Sequence, residues 1–158
     1  MRMWGTVAAV LIALCGSVAR AGETFPSDIR TITADGATSS CIGAPKTPLC
    51  AAETFLACDS RQDKSLCRRV GVERTEFQLP PYDLRYRILS VRILKPEDIP
   101  PDFRDSPFLK PGDAEMVFLE FPPPPQHACP DGCKYDYIAR SVNGEWRIVD
   151  WAMWGLDD

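Results

Sequence analysis

Residues 133–154 read CKYDYIARSVNGEWRIVDWAMW, two alternating, strand-like runs joined by Asn143-Gly144. An Asn-Gly pair between such runs is a strong short-range signal for a two-residue hairpin, because both residues tolerate the positive φ of the favoured turn. The turn sets a register in which Val142 faces Glu145 and Ser141 faces Trp146. Continued without interruption, that register pairs Ala139 with Ile148, Tyr137 with Asp150 and Tyr135 with Ala152, with Trp154 beyond. One face of the hairpin is then aromatic and apolar and contains one acid, Asp150.

Upstream of the hairpin the period also reads as strand. In YDLRYRILSVRILKP, Tyr82, Leu84, Tyr86 and Ile88 alternate with polar residues, but Leu89, Val91 and Ile93 continue on the opposite parity. A phase change inside one strand predicts a bulge or a strand covered on both sides, and a bulge bends a sheet. AEMVFLEF, from Ala114 to Phe121, is a further strand. The connection PEDIPPDFRDSPFLKPGD at 96–113 is long and Pro-rich, and the run of four prolines at 122–125 is stiff polyproline that bridges strands.

Ahead of the strands, TPLCAAETFLACDSRQDKSLCRRVG carries helical spacing. Thr47 is placed to cap a helix with Pro48 at its first position, and Leu49, Ala52, Phe55, Leu56 and Cys58 form one buried stripe. A second short helix starts near Asp63 and stops at Gly71, with Arg68 and Arg69 complementing its C-terminal dipole. Residues 22–46 show no period and read as an irregular leader.

The first residues, MRMWGTVAAVLIALCGSVARAGE, place Arg2, an apolar run and the small-residue triplet Ala19-Arg20-Ala21 in the order of a secretory signal peptide. The run is shorter than the roughly 20 residues of a membrane span. Cleavage after Ala21 leaves 137 of the 158 residues, and the organisation expected is a signal peptide at 1–21, the irregular segment at 22–46 and a single α+β domain at 47–158. The whole chain carries a net charge of −4. Arg2 and Arg20 lie in the leader and no acid does, so the remainder is more acidic by two charges. An acidic chain offers no counter-charge to nucleic acid or anionic lipid. The expectation is a periplasmic or secreted bacterial protein with no nucleic-acid partner and no membrane span after cleavage.

Of seven cysteines, Cys15 leaves with the leader and six remain: Cys41, Cys50, Cys58, Cys67, Cys129 and Cys133. An even count in a small exported chain favours a disulfide framework. Sequence does not select among the pairings; the simplest solution closes three local loops, 41 to 50, 58 to 67 and 129 to 133, and an alternative joins the end of the Pro-rich loop to the helical region. Cys129 and Cys133 lack the further ligands of a zinc site, and strand-like rather than helical sequence follows them, unlike a redox motif. Pro130, Asp131 and Gly132 between them are turn formers, so this pair reads as the staple of a turn that holds Tyr135 and Tyr137 at the start of a strand. No metal site and no cofactor are expected.

Helices at the N-terminal side, a curved antiparallel sheet and a final hairpin of the form Gly144-Glu145-Trp146-Arg147-Ile148-Val149-Asp150-Trp151 together resemble the NTF2-like (SnoaL-like) superfamily over roughly residues 47–154. The resemblance implies an α+β, cystatin-like cone, here disulfide-stabilised, whose sheet and helices enclose a pocket. Many such domains bind small molecules and some are enzymes. This chain departs from the enzymes in lacking their pocket His/Asp pair, and its Pro-rich loops are candidates to fill the mouth of the cone. His127 sits among prolines without a positioned partner, and Arg85, Arg87 and Arg92 read as a solvated sheet face.

Tyr135, Tyr137, Trp146, Asp150 and Trp154 are the expected pocket residues, with core packing as the plain alternative for the aromatics. Three functions follow. The first is a non-enzymatic exported domain that binds a small apolar ligand or an envelope protein. The second is a pocket enzyme for proton transfer or hydrolysis with Asp150 as base. The third is a periplasmic inhibitor or immunity protein against a cationic enzyme. Oligomeric state is left open.

Overall fold

The computed structural model describes residues 28–36, 41–122, 129 and 131–154. The leader at 1–21, His127 and most of the polyproline run lie outside them. Helix α1 (Pro48–Arg61) starts where Thr47, in extended conformation, accepts a hydrogen bond from the Cys50 N–H at 3.1 Å. It ends at Gln62, which takes the left-handed conformation at φ 56°. Asp63 then caps α2 (Lys64–Arg69), accepting from the N–H groups of Ser65 and Leu66 at 2.8 and 3.4 Å. Both helix starts match the capping signals, since each cap satisfies a backbone donor that the helix leaves unpaired.

Five strands follow a single antiparallel meander: β1 (Arg30–Ile32), β2 (Leu84–Ile93), β3 (Ala114–Phe121), β4 (Cys133–Val142) and β5 (Glu145–Trp154). The fold is therefore α+β, a five-stranded antiparallel sheet with two helices. The reading of 22–46 as irregular is corrected at β1. Three residues are too few to show alternation; Ile32 is nonetheless buried, and Arg30 reaches Glu53 of α1 at 2.9 Å.

Two bulges curve the sheet around α1, which touches all five strands. On β2, Ile88 pairs with Phe118 but Ser90 pairs with Val117, so Leu89 is the extra residue that the parity slip announces. Leu84, Tyr86 and Ile88 before it, and Val91 after it, therefore share the inner face. The second bulge lies on β5, where Ala139 pairs with Ile148 but Ile138 pairs with Asp150 and leaves Val149 extra. The core consists of Ile32, Phe55, Leu84, Tyr86, Met116, Phe118, Tyr137 and Ile148 between helix and sheet.

The outer edge of the sheet is not bare. The Trp146 N–H donates to the Pro45 carbonyl at 2.8 Å and the Ile148 N–H to that of Val70 at 2.9 Å. These bonds use up part of the open β5 edge that would otherwise recruit another chain. The Pro-rich connection makes two short 3-10 turns, at Pro96–Asp98 and Pro101–Phe103, and lies against the outer face beside Asp136 and Ile138. Its segment 103–109 lies on the face of the sheet away from α1 and does not line the cleft on the inner face.

Cysteines pair as three local loops. Cys41–Cys50 and Cys58–Cys67 have Cα separations of 4.7 and 5.1 Å, and Cys129–Cys133 also 5.1 Å. The second locks α1 to α2, and Cys58 and Cys67 are fully buried. Gly132 in the stapled turn has φ 100°, a backbone that glycine adopts without strain. Three disulfides are typical of proteins from an oxidising compartment. Among the described residues, no helix is long and apolar enough to cross a membrane.

Candidate functional site

Where the sheet runs on past the C-terminal end of α1, its inner face is left open as a cleft of about 410 Å³. Phe77, Leu79, Tyr82 and Tyr135 supply its apolar and aromatic surface, and Asp59, Arg74, Glu76 and Gln78 line the rest. Asp59 comes from the last turn of α1, Tyr135 from the start of β4. Arg74 and Tyr82 come from the segment linking α2 to β2, which is anchored by the Tyr82 N–H donating to the Ser60 carbonyl at 2.9 Å.

Arg74 is held on three sides. Its Nη2 lies 3.0 Å from Asp59 Oδ2, and its guanidinium sits 5.7 Å from the ring centre of Phe55 and 5.6 Å from that of Trp151. Those two rings are themselves 5.2 Å apart. Aromatic faces attract a guanidinium electrostatically, so the cation is positioned by rings as well as by its carboxylate. Burial pushes the Asp59 carboxyl up from its ordinary value, and Arg74 opposes that rise.

Behind the cleft lies a buried acid. Glu120 continues the inward row of Ala114, Met116 and Phe118 on β3, and the Tyr137 hydroxyl donates to it. Desolvation drives the Glu120 carboxyl up to about 8; the Tyr137 bond opposes the shift and the Asp59 charge adds to it. Tyr137 stacks on Tyr135 at 6.1 Å, which connects the buried pair to the cleft wall. Tyr82 is pushed up to about 12 and Tyr135 is raised, each first by burial and then by neighbouring acids. Both phenols stay protonated and able to donate at neutral pH.

Comparison with protein-family models, with curated proteins and with solved structures finds no match for this chain. The reading of the site therefore rests on its own geometry.

Of the expected pocket residues, Tyr135 lines the cleft and Tyr137 lies buried directly behind it. Trp146 packs half-buried against the core near the start of α1, away from the cleft. Asp150 requires a correction. The β5 bulge moves it opposite Ile138, on the outer face, where it is exposed and accepts from the Trp151 N–H at 2.9 Å. Trp151 takes the place opposite Tyr137 that the uninterrupted register assigns to Asp150. Trp154 stands opposite Lys134 in the register, and its side chain lies outside the described residues.

Asp59, Arg74, Tyr82 and Glu120 are the site residues that sequence reasoning missed. Glu120 leaves one trace, an acid on the apolar parity of AEMVFLEF. Among the described residues no cluster of His, Cys, Asp and Glu is arranged to hold a metal ion. Phenol hydroxyls, aromatic rings, the Asp59–Arg74 pair, Glu76 and Gln78 make a surface suited to binding a polar molecule with a flat apolar part.

Proposed function

We propose that this chain is an exported, disulfide-stabilised binding domain of NTF2-like type, acting in the bacterial periplasm or outside the cell, whose inner-face cleft takes a small ligand. The observation that carries the reading is the open, aromatic-walled cleft of about 410 Å³ beyond the end of α1. Its size falls within the range of small-molecule sites, and its lining is more polar than apolar, with Asp59, Arg74, Glu76 and Gln78 beside the rings. Here the rings of Phe77, Tyr82 and Tyr135 supply the apolar body contact. The Tyr82 and Tyr135 hydroxyls and the Asp59–Arg74 pair supply orientation.

The curved sheet wrapped on a helix supports the NTF2-like resemblance, and the three disulfides support export. Asp150, on the outer face, is not positioned to act as a base in this cleft, so the proton-transfer reading that depended on it is not retained. Native mass spectrometry of protein recovered from its own compartment, before and after denaturation, tests the proposal. A small molecule released on unfolding from the wild type but absent from Tyr135→Ala is the expected result. Wild-type protein that is empty at the oxidised mass would overturn it.

A further inference from the structure

A second hollow lies on the outer face; Trp151, whose ring also holds Arg74 of the cleft, is part of its lining. The Pro-rich connection leans over β3, β4 and β5 and leaves a cavity of about 210 Å³, walled by Phe103 and Phe108 and floored by Ile138. Phe103 and Phe108 are 54 % and 56 % exposed, unusual for phenylalanines that the loop could have turned inward. The loop is clamped in this position. Asp113, itself buried, accepts from Arg140 Nε and Nη2 at 2.8 and 2.7 Å and from the Lys110 N–H at 2.8 Å, while Arg140 Nη2 also donates to the Pro107 carbonyl at 3.2 Å.

Charge decides what such a hollow accepts. Glu115, Asp136 and Asp150 lie at its wall, and Asp98 stands next to them across Arg92. Arg92 pairs with both Glu115 and Asp98, and Arg140 is committed to Asp113. Arg104 borders a different depression, with Pro96 and Ile99. Three carboxylates, Glu115, Asp136 and Asp150, thus line a hollow with two exposed rings, and of these Asp150 is the one exposed to an incoming cation, in a chain whose net charge is −4.

From this combination we infer that the outer hollow docks a cationic protein through one arginine side chain inserted between Phe103 and Phe108, its guanidinium meeting Asp150 and its neighbours. An arginine satisfies both halves of the site: its stem packs on apolar surface, and its planar head takes ring faces and carboxylates together. Arginine is also enriched among the residues that dominate protein interfaces, where a pre-formed pocket around the anchor is the rule.

The full, oxidised chain, labelled with heavy nitrogen, is titrated with the peptide acetyl-Leu-Arg-Leu-amide while backbone amide shifts are followed. Shifts centred on Phe103, Phe108, Ile138 and Asp150, with Tyr135 unmoved, are expected. The neutral citrulline analogue should fail to bind, and Asp150→Asn should weaken the arginine peptide about threefold to fivefold. Equal binding of the citrulline peptide, shifts scattered over the surface, or shifts centred on the Tyr82–Tyr135 cleft would overturn the inference. So would equal binding of ethylguanidinium alone, which would mark a small-cation site, or the same shifts appearing with protein concentration and no peptide, which would mark a second copy as the occupant. Asp150 is exposed and its replacement leaves the core untouched; the citrulline comparison holds whether or not that variant folds.

Discussion

The Tyr137 hydroxyl donates to the Glu120 carboxyl inside the core, one strand from the cleft wall. A carboxyl kept protonated by burial couples folding to pH in the direction opposite to a salt-bridged acid. Its folded-state pKa, about 8, lies above its ordinary value, 4.5. The folded state thus holds a proton that the unfolded chain gives up as pH rises between those two values. Stability from this group is complete below the lower value and is lost progressively until the upper one is passed. Wild-type protein should lose on the order of 2–4 kcal/mol relative to Glu120→Gln between pH 5 and pH 8. Urea unfolding of the two proteins across that range checks it; parallel curves would show that Glu120 does not titrate there.

Gly132 tests the stapled turn. A Cβ added there would come within 2.9 Å of Leu119 Cγ and of Phe121 Cε1, at a φ of 100° that side-chain-bearing residues rarely adopt. Gly132→Ala should cost about 1–3 kcal/mol, combining backbone strain with the clash. Thermal unfolding under oxidising conditions measures the loss, and an unchanged midpoint would mean the turn accommodates the methyl group.

Cys58 and Cys67 join α1 to α2 where neither sulfur meets solvent. Replacing both with alanine should lower stability by roughly 2–5 kcal/mol. Because Asp59 follows Cys58 directly, the same variant should also loosen the Asp59–Arg74 pair. Denaturant titration gives the first quantity, and Trp151 fluorescence, sensitive to the cation beside its ring, reports the second.

Val149 is the extra residue of the β5 bulge. Deleting it should close the ladder without moving its partners, leaving Asp150 opposite Ile138 and Trp151 opposite Tyr137. The Phe55–Trp151–Arg74 stack should then survive, and the loss of stability should stay within about 1 kcal/mol. Near-ultraviolet circular dichroism should keep the aromatic signal of that stack. A deletion variant that loses this signal would show that the bulged backbone itself, and not the pairing of Trp151 with Tyr137, orients the ring.

Much of the frame was legible along the chain because its causes are local. Thr47-Pro48 and Asp63 start helices by satisfying backbone donors two or three residues away. Asn143-Gly144 makes the tight turn because these two residues tolerate the φ values of 53° and 80° found there. The bulge at Leu89 shows as a parity slip within ten residues, and the cysteine loops close over short spans.

The site was not legible in the same way, and the β5 bulge shows why. GEWRIVDWAMW has apolar residues on both parities, so local pattern permits an unbroken strand as readily as a slip after Ile148. Packing of Trp151 on Phe55 of α1 favours the slip, and that contact spans almost a hundred positions. Asp59 with Arg74, and Glu120 with Tyr137, likewise meet through the way the helix crosses the curved sheet. Periodicity along the chain establishes that there is an inner face. Which side chains converge at its open end depends on desolvation and contact between segments remote in sequence, and those forces exist only once the sheet has closed around α1.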